Sequence, residues 1–284
     1  MRAGWRAAMY VALFIIFMSV VAGLVTLSHS GLLVPTGEMT ASVLLVNEVI
    51  MASCAISAAL VMARVEGRRF GDYGMPWSGA LRPRFWKGAV WGVAQITVLM
   101  LAIGALGGYS FGDWALGRGE AIEYALLWAL LFLMVGMFEE FFFRGYMQFT
   151  VASGIGFWPA AILLSLGFGA VHLRNSGEGL AGVPDLMLIA LFFCLTLRRT
   201  GDLWFAIGFH AAFDFGETYL YSVPDSGIVM PGHLSGASLH GADWLTGGSV
   251  GPEGSMLSLA VLLLTFVVFD RVYRPKKNST KAIQ

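Results

Sequence analysis

The chain has 284 residues, of which 57% are hydrophobic and only 13% are charged, and its mean hydropathy is +0.72. Soluble globular proteins carry about 25% charged and 45–50% apolar residues, so this composition excludes an ordinary soluble protein. The formal net charge is zero, and we therefore expect no nucleic-acid partner. Cys54 and Cys194 lie far apart in apolar runs, which argues against a disulfide framework or a cysteine-based metal site.

Long apolar runs follow one another along the chain and predict an all-α fold, a polytopic membrane bundle of about eight transmembrane helices. Most runs approach the ~20 residues that a spanning helix needs, although the fifth and sixth are shorter. The predicted spans are 8–28, 41–63, 86–107, 123–148, 157–173, 183–198, 202–221 and 255–272.

The spans divide the chain into three parts. Residues 1–122 hold three helices and a basic cytoplasmic loop, and residues 123–221 hold the core helices that carry the motifs described below. Residues 222–284 hold a long outer loop rich in Gly and Ser, the last helix and a basic cytoplasmic tail.

Basic residues are unevenly distributed between the two sides of the predicted bundle. An even number of spans places both termini on one side, and that side holds 15 of the 18 Lys and Arg residues. The others are Arg118 and Arg174 in the opposite loops and Arg144 inside a predicted span. The positive-inside rule therefore predicts cytoplasmic termini.

Ionisable side chains inside apolar spans are costly, and they indicate function unless a structural partner explains them. Three of the eight spans hold nearly all of them. These are the fourth with Glu139, Glu140 and Arg144, the fifth with His172, and the seventh with His210 and Asp214. Ion pairs and single histidines often have structural roles, but their joint presence on three helices favours a functional cluster.

The spacing of these residues predicts how they pair. Glu140 and Arg144 are four residues apart, so they can form an ion pair on one helix face. Glu139 lies about 100° around the helix from Glu140 and is left for another partner. His210 and Asp214 are also four residues apart, so the carboxylate can orient or charge-stabilise the imidazole.

A glutamate and two histidines that meet inside a membrane bundle support two hydrolytic chemistries. In the first, Glu139 is a general base, His172 positions the water, and His210 stabilises the oxyanion. In the second, Glu139, His172 and His210 bind zinc, which acidifies the water itself. Peptide bonds of membrane-embedded or lipidated substrates are the natural target of either chemistry.

Motifs of other intramembrane hydrolases are absent or misplaced. The sequence has no HExxH zinc motif and no GxGD aspartyl motif. A GxSxG match occurs at residues 247–251, but it lies in the outer loop and no histidine follows it. We therefore interpret this match as a chance feature of a Gly/Ser-rich loop.

The three polar motifs in order resemble the signature of the CPBP family, which includes CaaX prenyl proteases and bacteriocin-processing (Abi) proteins. The resemblance covers roughly residues 123–220 and comprises Glu139-Glu140-xxx-Arg144, Phe168-xxx-His172 and His210-xxx-Asp214. It implies an intramembrane endopeptidase in a bacterial or archaeal cell membrane, with lipid and a protein or peptide substrate as partners.

The resemblance also implies roles for individual residues. Glu139 would be the water-activating base with His172 as its partner, while His210 and Asp214 would stabilise the oxyanion. Glu140, Arg144 and Phe168 would support the site, and no cofactor would be required. Asp214 departs from the Asn often found in prenyl-protein processors, and an ionised Asp cannot donate a hydrogen bond to an oxyanion.

Two alternatives belong to other functional classes. A non-catalytic immunity or scaffold protein of the same fold would not need Glu139. A proton-coupled transporter would pass protons between Glu139, His172 and His210. Such transporters usually have repeated halves, whereas the first three spans here show nothing like the polar pattern of the later ones.

Overall fold

The structure is a computed structural model that describes residues 2–28, 40–175 and 182–274. Helices dominate these ranges. The α-helices are α1 Ala3–Ser28, α2 Ala41–Glu66, α3 Pro83–Ala105, α4 Arg118–Glu139, α5 Gln148–Ile155, α6 Phe157–His172, α7 Val183–Thr200, α8 Trp204–Phe215, α9 Asp243–Thr246 and α10 Met256–Val272. Two π-helical segments are Glu140–Met147 and Gly216–Leu220, and short 3-10 turns are Phe70–Tyr73, Trp77–Gly79 and Pro252–Gly254.

All eight predicted spans overlap helical structure, so the predicted all-α membrane bundle is confirmed. Within the described ranges, four helical stretches are long and apolar enough to cross a membrane. They are Ala3–Ser28, Ala41–Glu66, Pro83–Ala105 and the continuous stretch Arg118–Ile155. Helix α6 is a shorter apolar helix, and the number of eight spans stays a prediction.

Local sequence signals set several helix ends. Helix α2 begins after Thr40, whose hydroxyl accepts a hydrogen bond from the backbone N–H of Val43, and ends at Gly67, whose φ of 65° is left-handed. Helix α10 begins after Ser255, which accepts from the backbone N–H of Ser258 at 3.0 Å. These caps satisfy backbone groups that a helix end leaves unpaired.

Helix α8 packs very closely against α3, because glycines lie where the two helices cross. A Cβ atom added at Gly88 or Gly92 of α3 would lie 2.0 or 2.2 Å from the backbone oxygens of Phe205 and Phe209. A Cβ atom at Gly208 of α8 would lie 2.1 Å from the backbone oxygen of Phe85. The Gly88–Gly92 pair has the small-xxx-small spacing used for close helix contact in membranes.

Helix α4 packs against another side of α8. A Cβ atom at Gly136 would lie 3.2 Å from the backbone oxygen of Ile207 and 3.5 Å from the side chain of His210. Nine of the twelve residues of α8 are buried, as expected for a helix that other helices surround. This packing places His210 between α4 and α7.

The loop between α8 and α10 is more ordered than its composition predicts. It contributes strand β2, Ser238–Leu239, which pairs antiparallel with β1, Tyr109–Ser110, in the loop between α3 and α4. It also contains α9. The GxSxG match forms a tight turn in which Gly247, Gly248 and Gly251 all have positive φ. The predicted basic tail beyond residue 274 lies outside the described residues.

We expect Gly92→Ala to lower the free energy of unfolding by about 1–3 kcal/mol, because the added methyl group forces α3 away from α8. Gly167→Ala is the matched control, since Gly167 is helical and has no neighbouring atom within 4 Å of an added Cβ. Chemical or thermal unfolding of both variants in detergent measures the difference. Equal stabilities would contradict the assigned contact.

Candidate functional site

The fourth predicted span is not a single regular helix. Helix α4 ends at Glu139, a π-helical segment covers Glu140–Met147, and α5 continues to Ile155. Inside the π-helical segment, Gly145 has a non-helical backbone with φ −83° and ψ −110°. Such π-helical irregularities commonly occur at functional sites. The Glu139-Glu140-xxx-Arg144 motif therefore lies where the helix changes its hydrogen-bonding pattern.

Glu140 and Arg144 form the ion pair that their spacing predicts. The Arg144 Nη1 and Glu140 Oε1 atoms are 3.0 Å apart, and the two side chains are 2% and 0% exposed. The guanidinium carbon of Arg144 lies 4.2 Å from the ring centroid of Phe168, which is within cation–π range. This places Phe168 in contact with the ion pair, as a supporting residue.

Glu140 has a second partner that its spacing does not predict. Its Oε1 atom lies 3.1 Å from Nδ1 of His210 on α8, so one oxygen serves both the arginine and the imidazole. The expected partner of His210 is also close, since Asp214 Oδ2 lies 3.3 Å from Nε2 of the same ring. The imidazole therefore has a carboxylate at each nitrogen.

Glu139 faces both histidines, and it does so without sharing the ion pair of its neighbour. Its Oε1 atom lies 3.8 Å from Nε2 of His172, and its Oε2 atom lies 3.7 Å from Nε2 of His210. The three side chains are between 12% and 18% exposed. Residues from α4, α6 and α8 thus converge on one place.

The orientation of His172 is set by its own helix. Its Nδ1 atom lies 2.9 Å from the backbone oxygen of Phe168, and its ring packs on the Phe168 ring with centroids 4.4 Å apart. When Nδ1 donates to that carbonyl, the neutral ring presents Nε2 as an acceptor. This acceptor faces Glu139.

A cavity of about 410 Å³ lies beside these groups. It is lined by the predicted residues Glu139, Phe168, His172, His210 and Asp214. It is also lined by polar residues that were not predicted, namely Glu48, Gln95, Arg174, Asn175, Asp185, Thr218, Asp225, Ser226 and Glu253. The residues of the predicted pair, Glu140 and Arg144, do not line it but lie behind it.

Glu48 lines the cavity but belongs to none of the three sequence motifs. It lies in the second predicted span, is 7% exposed, and has a buried Oε2 atom with no hydrogen-bond partner in the described part of the chain. A glutamate within an apolar run is itself a signal of function, so the sequence contained a pointer to it. Asp225 and Glu253 lie in a polar loop, where acidic residues carry no such signal.

The zinc alternative requires that ligand atoms of Glu139, His172 and His210 converge on one point. Metal ligands must meet around one ion, and zinc binds nitrogen and oxygen ligands at about 2.0–2.2 Å. Among the described residues, only Glu217, Asp225 and Glu253 bring three ligand atoms within 4.8 Å of one another. Glu139, His172 and His210 do not form such a group.

Fold and site together define a helical membrane protein whose core places a carboxylate and two imidazoles against a cavity. Residues 121–216, about a third of the chain, match the family model described as type II CAAX prenyl endopeptidase Rce1-like. This confirms the resemblance to the CPBP family over that segment and supports a CAAX-type intramembrane protease in general. Neither the comparison with curated proteins nor that with solved structures gives a match.

Removing one partner of a buried ion pair leaves the other charge uncompensated. We expect Arg144→Met to lower the free energy of unfolding by about 3–5 kcal/mol. The double variant Glu140→Gln/Arg144→Met should be more stable than the single one, because the unpaired carboxylate is gone. Unfolding in detergent measures this cycle, and a double variant less stable than Arg144→Met would contradict it.

Proposed function

We propose that this protein is an intramembrane endopeptidase in which Glu139 activates a water molecule for attack on a peptide bond. The observation that carries the proposal is the position of the Glu139 carboxylate. It faces His172 and His210 at the cavity wall, at 3.8 and 3.7 Å, while Glu140 is paired with Arg144. The family match over residues 121–216 supports a protease of the CAAX type.

In this mechanism, Glu139 and His172 hold the attacking water together. Atoms 3.8 Å apart can both lie within hydrogen-bond distance, about 2.8 Å, of one shared water molecule. The Nε2 atom of His172 accepts one hydrogen bond from the water, and Glu139 accepts the other. Glu139 takes the proton as the water oxygen attacks the carbonyl carbon.

His210 is proposed to stabilise the oxyanion that forms. Glu140 accepts a hydrogen bond from its Nδ1 atom, so the ring is held with Nε2 towards the cavity. A protonated imidazole can donate from both nitrogens, and Nε2 then donates to the oxyanion. Asp214, 3.3 Å from Nε2, balances the positive charge of the ring.

Collapse of the tetrahedral intermediate completes the reaction. The carbonyl double bond re-forms as the C–N bond breaks, and Glu139 returns its proton to the departing amine nitrogen. The products are a new amine and a new carboxylic acid, which then releases the second proton of the water. Glu139 therefore serves first as base and then as acid, and the peptide bond and one water molecule are the only reactants.

The proposed substrate is a protein or peptide with a membrane-embedded or lipidated segment. The support is a cavity inside an apolar helical bundle, with walls that include Phe132, Phe168 and Phe213. The match to a prenyl endopeptidase model makes a lipidated C-terminal peptide the first candidate to test. Asp214, in place of the Asn common in prenyl-protein processors, makes a non-prenylated peptide the necessary comparison.

We further propose that no metal ion or other cofactor is required for hydrolysis. Support comes from the spacing of Glu139, His172 and His210, which fits a bridging water better than three ligands around one zinc ion.

We also propose that both termini are cytoplasmic and that the protein resides in a bacterial or archaeal cell membrane. The support for the orientation is the distribution of basic residues.

A phosphatase that is active only when exported tests this orientation. We expect the enzyme to be inactive when it is fused after residue 284, and active when it is inserted in the loop between α8 and α10. The reverse result would contradict the orientation.

We expect Glu139→Gln to reduce cleavage of a membrane peptide reporter by about 100-fold or more, because the amide cannot accept the proton of the water. His172→Ala should have an effect of similar size. The assay uses purified protein in detergent or liposomes, with a prenylated CAAX peptide, the same peptide without the prenyl group, and a transmembrane helix peptide. Product formation is quantified by mass spectrometry.

Glu123→Gln is the matched control for this assay, since Glu123 is exposed at the start of α4 and should retain full activity. Wild-type rates from Glu139→Gln would refute the proposed base. If neither the wild type nor Glu139→Gln cleaves any of the three peptides, and both restore the biological activity in cells that lack the protein, a non-catalytic role is indicated. A zinc chelator such as 1,10-phenanthroline should leave the wild-type rate unchanged, and inhibition reversed by zinc would refute the metal-free mechanism.

A further inference from the structure

A second group of carboxylates comprises Glu217, Asp225 and Glu253, of which Asp225 and Glu253 line the same cavity as Glu139. Glu217 lies in the π-helical segment that follows α8, while Asp225 and Glu253 belong to the loop between α8 and α10. One oxygen atom from each lies within 4.8 Å of the others. The proposed hydrolysis uses none of the three.

Glu217 is the unusual member of this group. It is 0% exposed, and neither of its carboxylate oxygens has a hydrogen-bond partner within the described ranges. An ionised carboxylate without a partner costs several kcal/mol to bury. One Glu217 oxygen also lies within 4.8 Å of an oxygen of Asp225 and of Glu253. Repulsion between these negative charges increases the free-energy cost of burying Glu217.

Asp225 and Glu253 are held in place by neutral donors. The Thr218 hydroxyl donates to Oδ2 of Asp225 at 3.2 Å. The backbone N–H and the hydroxyl of Ser226 donate to Oε2 of Glu253 at 3.1 and 2.9 Å. These hydrogen bonds fix the directions of both side chains.

The negative charge of the region extends beyond the three ligand groups. Two further carboxylates, Asp185 and Asp214, line the same cavity. The buried carboxylate of Glu217, which has no hydrogen-bond partner among the described residues, therefore lies in a strongly acidic region. A bound cation would compensate its charge.

From this geometry we infer that Glu217, Asp225 and Glu253 bind a hard divalent cation of the calcium class. Calcium prefers oxygen ligands at 2.3–2.6 Å, so two ligands on one ion can lie up to about 5 Å apart, which accommodates the observed spacing. The all-oxygen set does not suit zinc or other metals that prefer nitrogen and sulfur. The remaining coordination positions can be filled by water or by second carboxylate oxygens.

Such a cation would connect three separate points of the chain. Glu217 follows the helix that carries His210, and Asp225 and Glu253 lie near the two ends of the loop between α8 and α10, which contributes to the cavity wall. The backbone already links these ends, since Gly227 N–H donates to the Val250 oxygen at 2.8 Å. The ion would therefore fasten this loop to the end of α8.

The full-length protein in detergent is first treated with EGTA to remove bound cations. Metal binding and thermal unfolding of this protein then test the inference. At a hundredfold excess over its dissociation constant, Ca²⁺ should raise the Tm of the wild type by about 5 °C or more, and Mg²⁺ at the same concentration should raise it less. Isothermal titration should show one Ca²⁺ per chain. Na⁺ at equal ionic strength is the screening control.

Glu217→Gln should abolish both the Ca²⁺-dependent shift and the binding, and the exposed control Glu123→Gln should retain them. Asp225→Asn is the second variant if Glu217→Gln does not fold, and it should also abolish binding. A wild type that binds no Ca²⁺, or a Glu217→Gln variant that binds it as the wild type does, would overturn the site. Because the readouts are binding and stability, their outcome is independent of whether Glu139 catalyses hydrolysis.

Discussion

The buried ion pair between Glu140 and Arg144 is the constraint on which the rest of the site depends. Two charges removed from water are tolerated only when they pair well. Here the arginine lies over Phe168, and the glutamate also accepts from His210. The pair thereby connects the three helices that carry the site and holds one of its imidazoles in orientation.

The division of labour between adjacent glutamates follows from this constraint. Glu140 is buried in the ion pair with Arg144. Glu139 is therefore the carboxylate that faces the cavity and both histidines. The change from α-helix to π-helix occurs between these two residues. Consecutive carboxylates thus occupy different environments, one buried behind the cavity wall and the other at its surface, and environment decides which chemistry a carboxylate can perform.

Backbone contact between α3 and α8 provides the rigidity that such a site needs. Glycines at the crossing allow the helices to approach without intervening side chains, and close packing of this kind is a principal source of helix association in lipid. Helix α8 then carries His210 and Asp214 on one side and leads directly into Glu217 at its end. The proposed catalytic cluster and the inferred cation site are consequently attached to the same element.

The amino-acid sequence alone determined the helical membrane class, the approximate positions of the helices, and the three motifs with Glu139, His172 and His210. Hydrophobic run length and i,i+4 spacing are local properties, so they can be read without a structure. The contact of Glu140 with His210, the entry of Glu48 into the cavity, and the meeting of Glu217 with Asp225 and Glu253 were decided by the tertiary structure. Each joins residues from different helices or loops, and their distance in space depends on packing that no local pattern encodes.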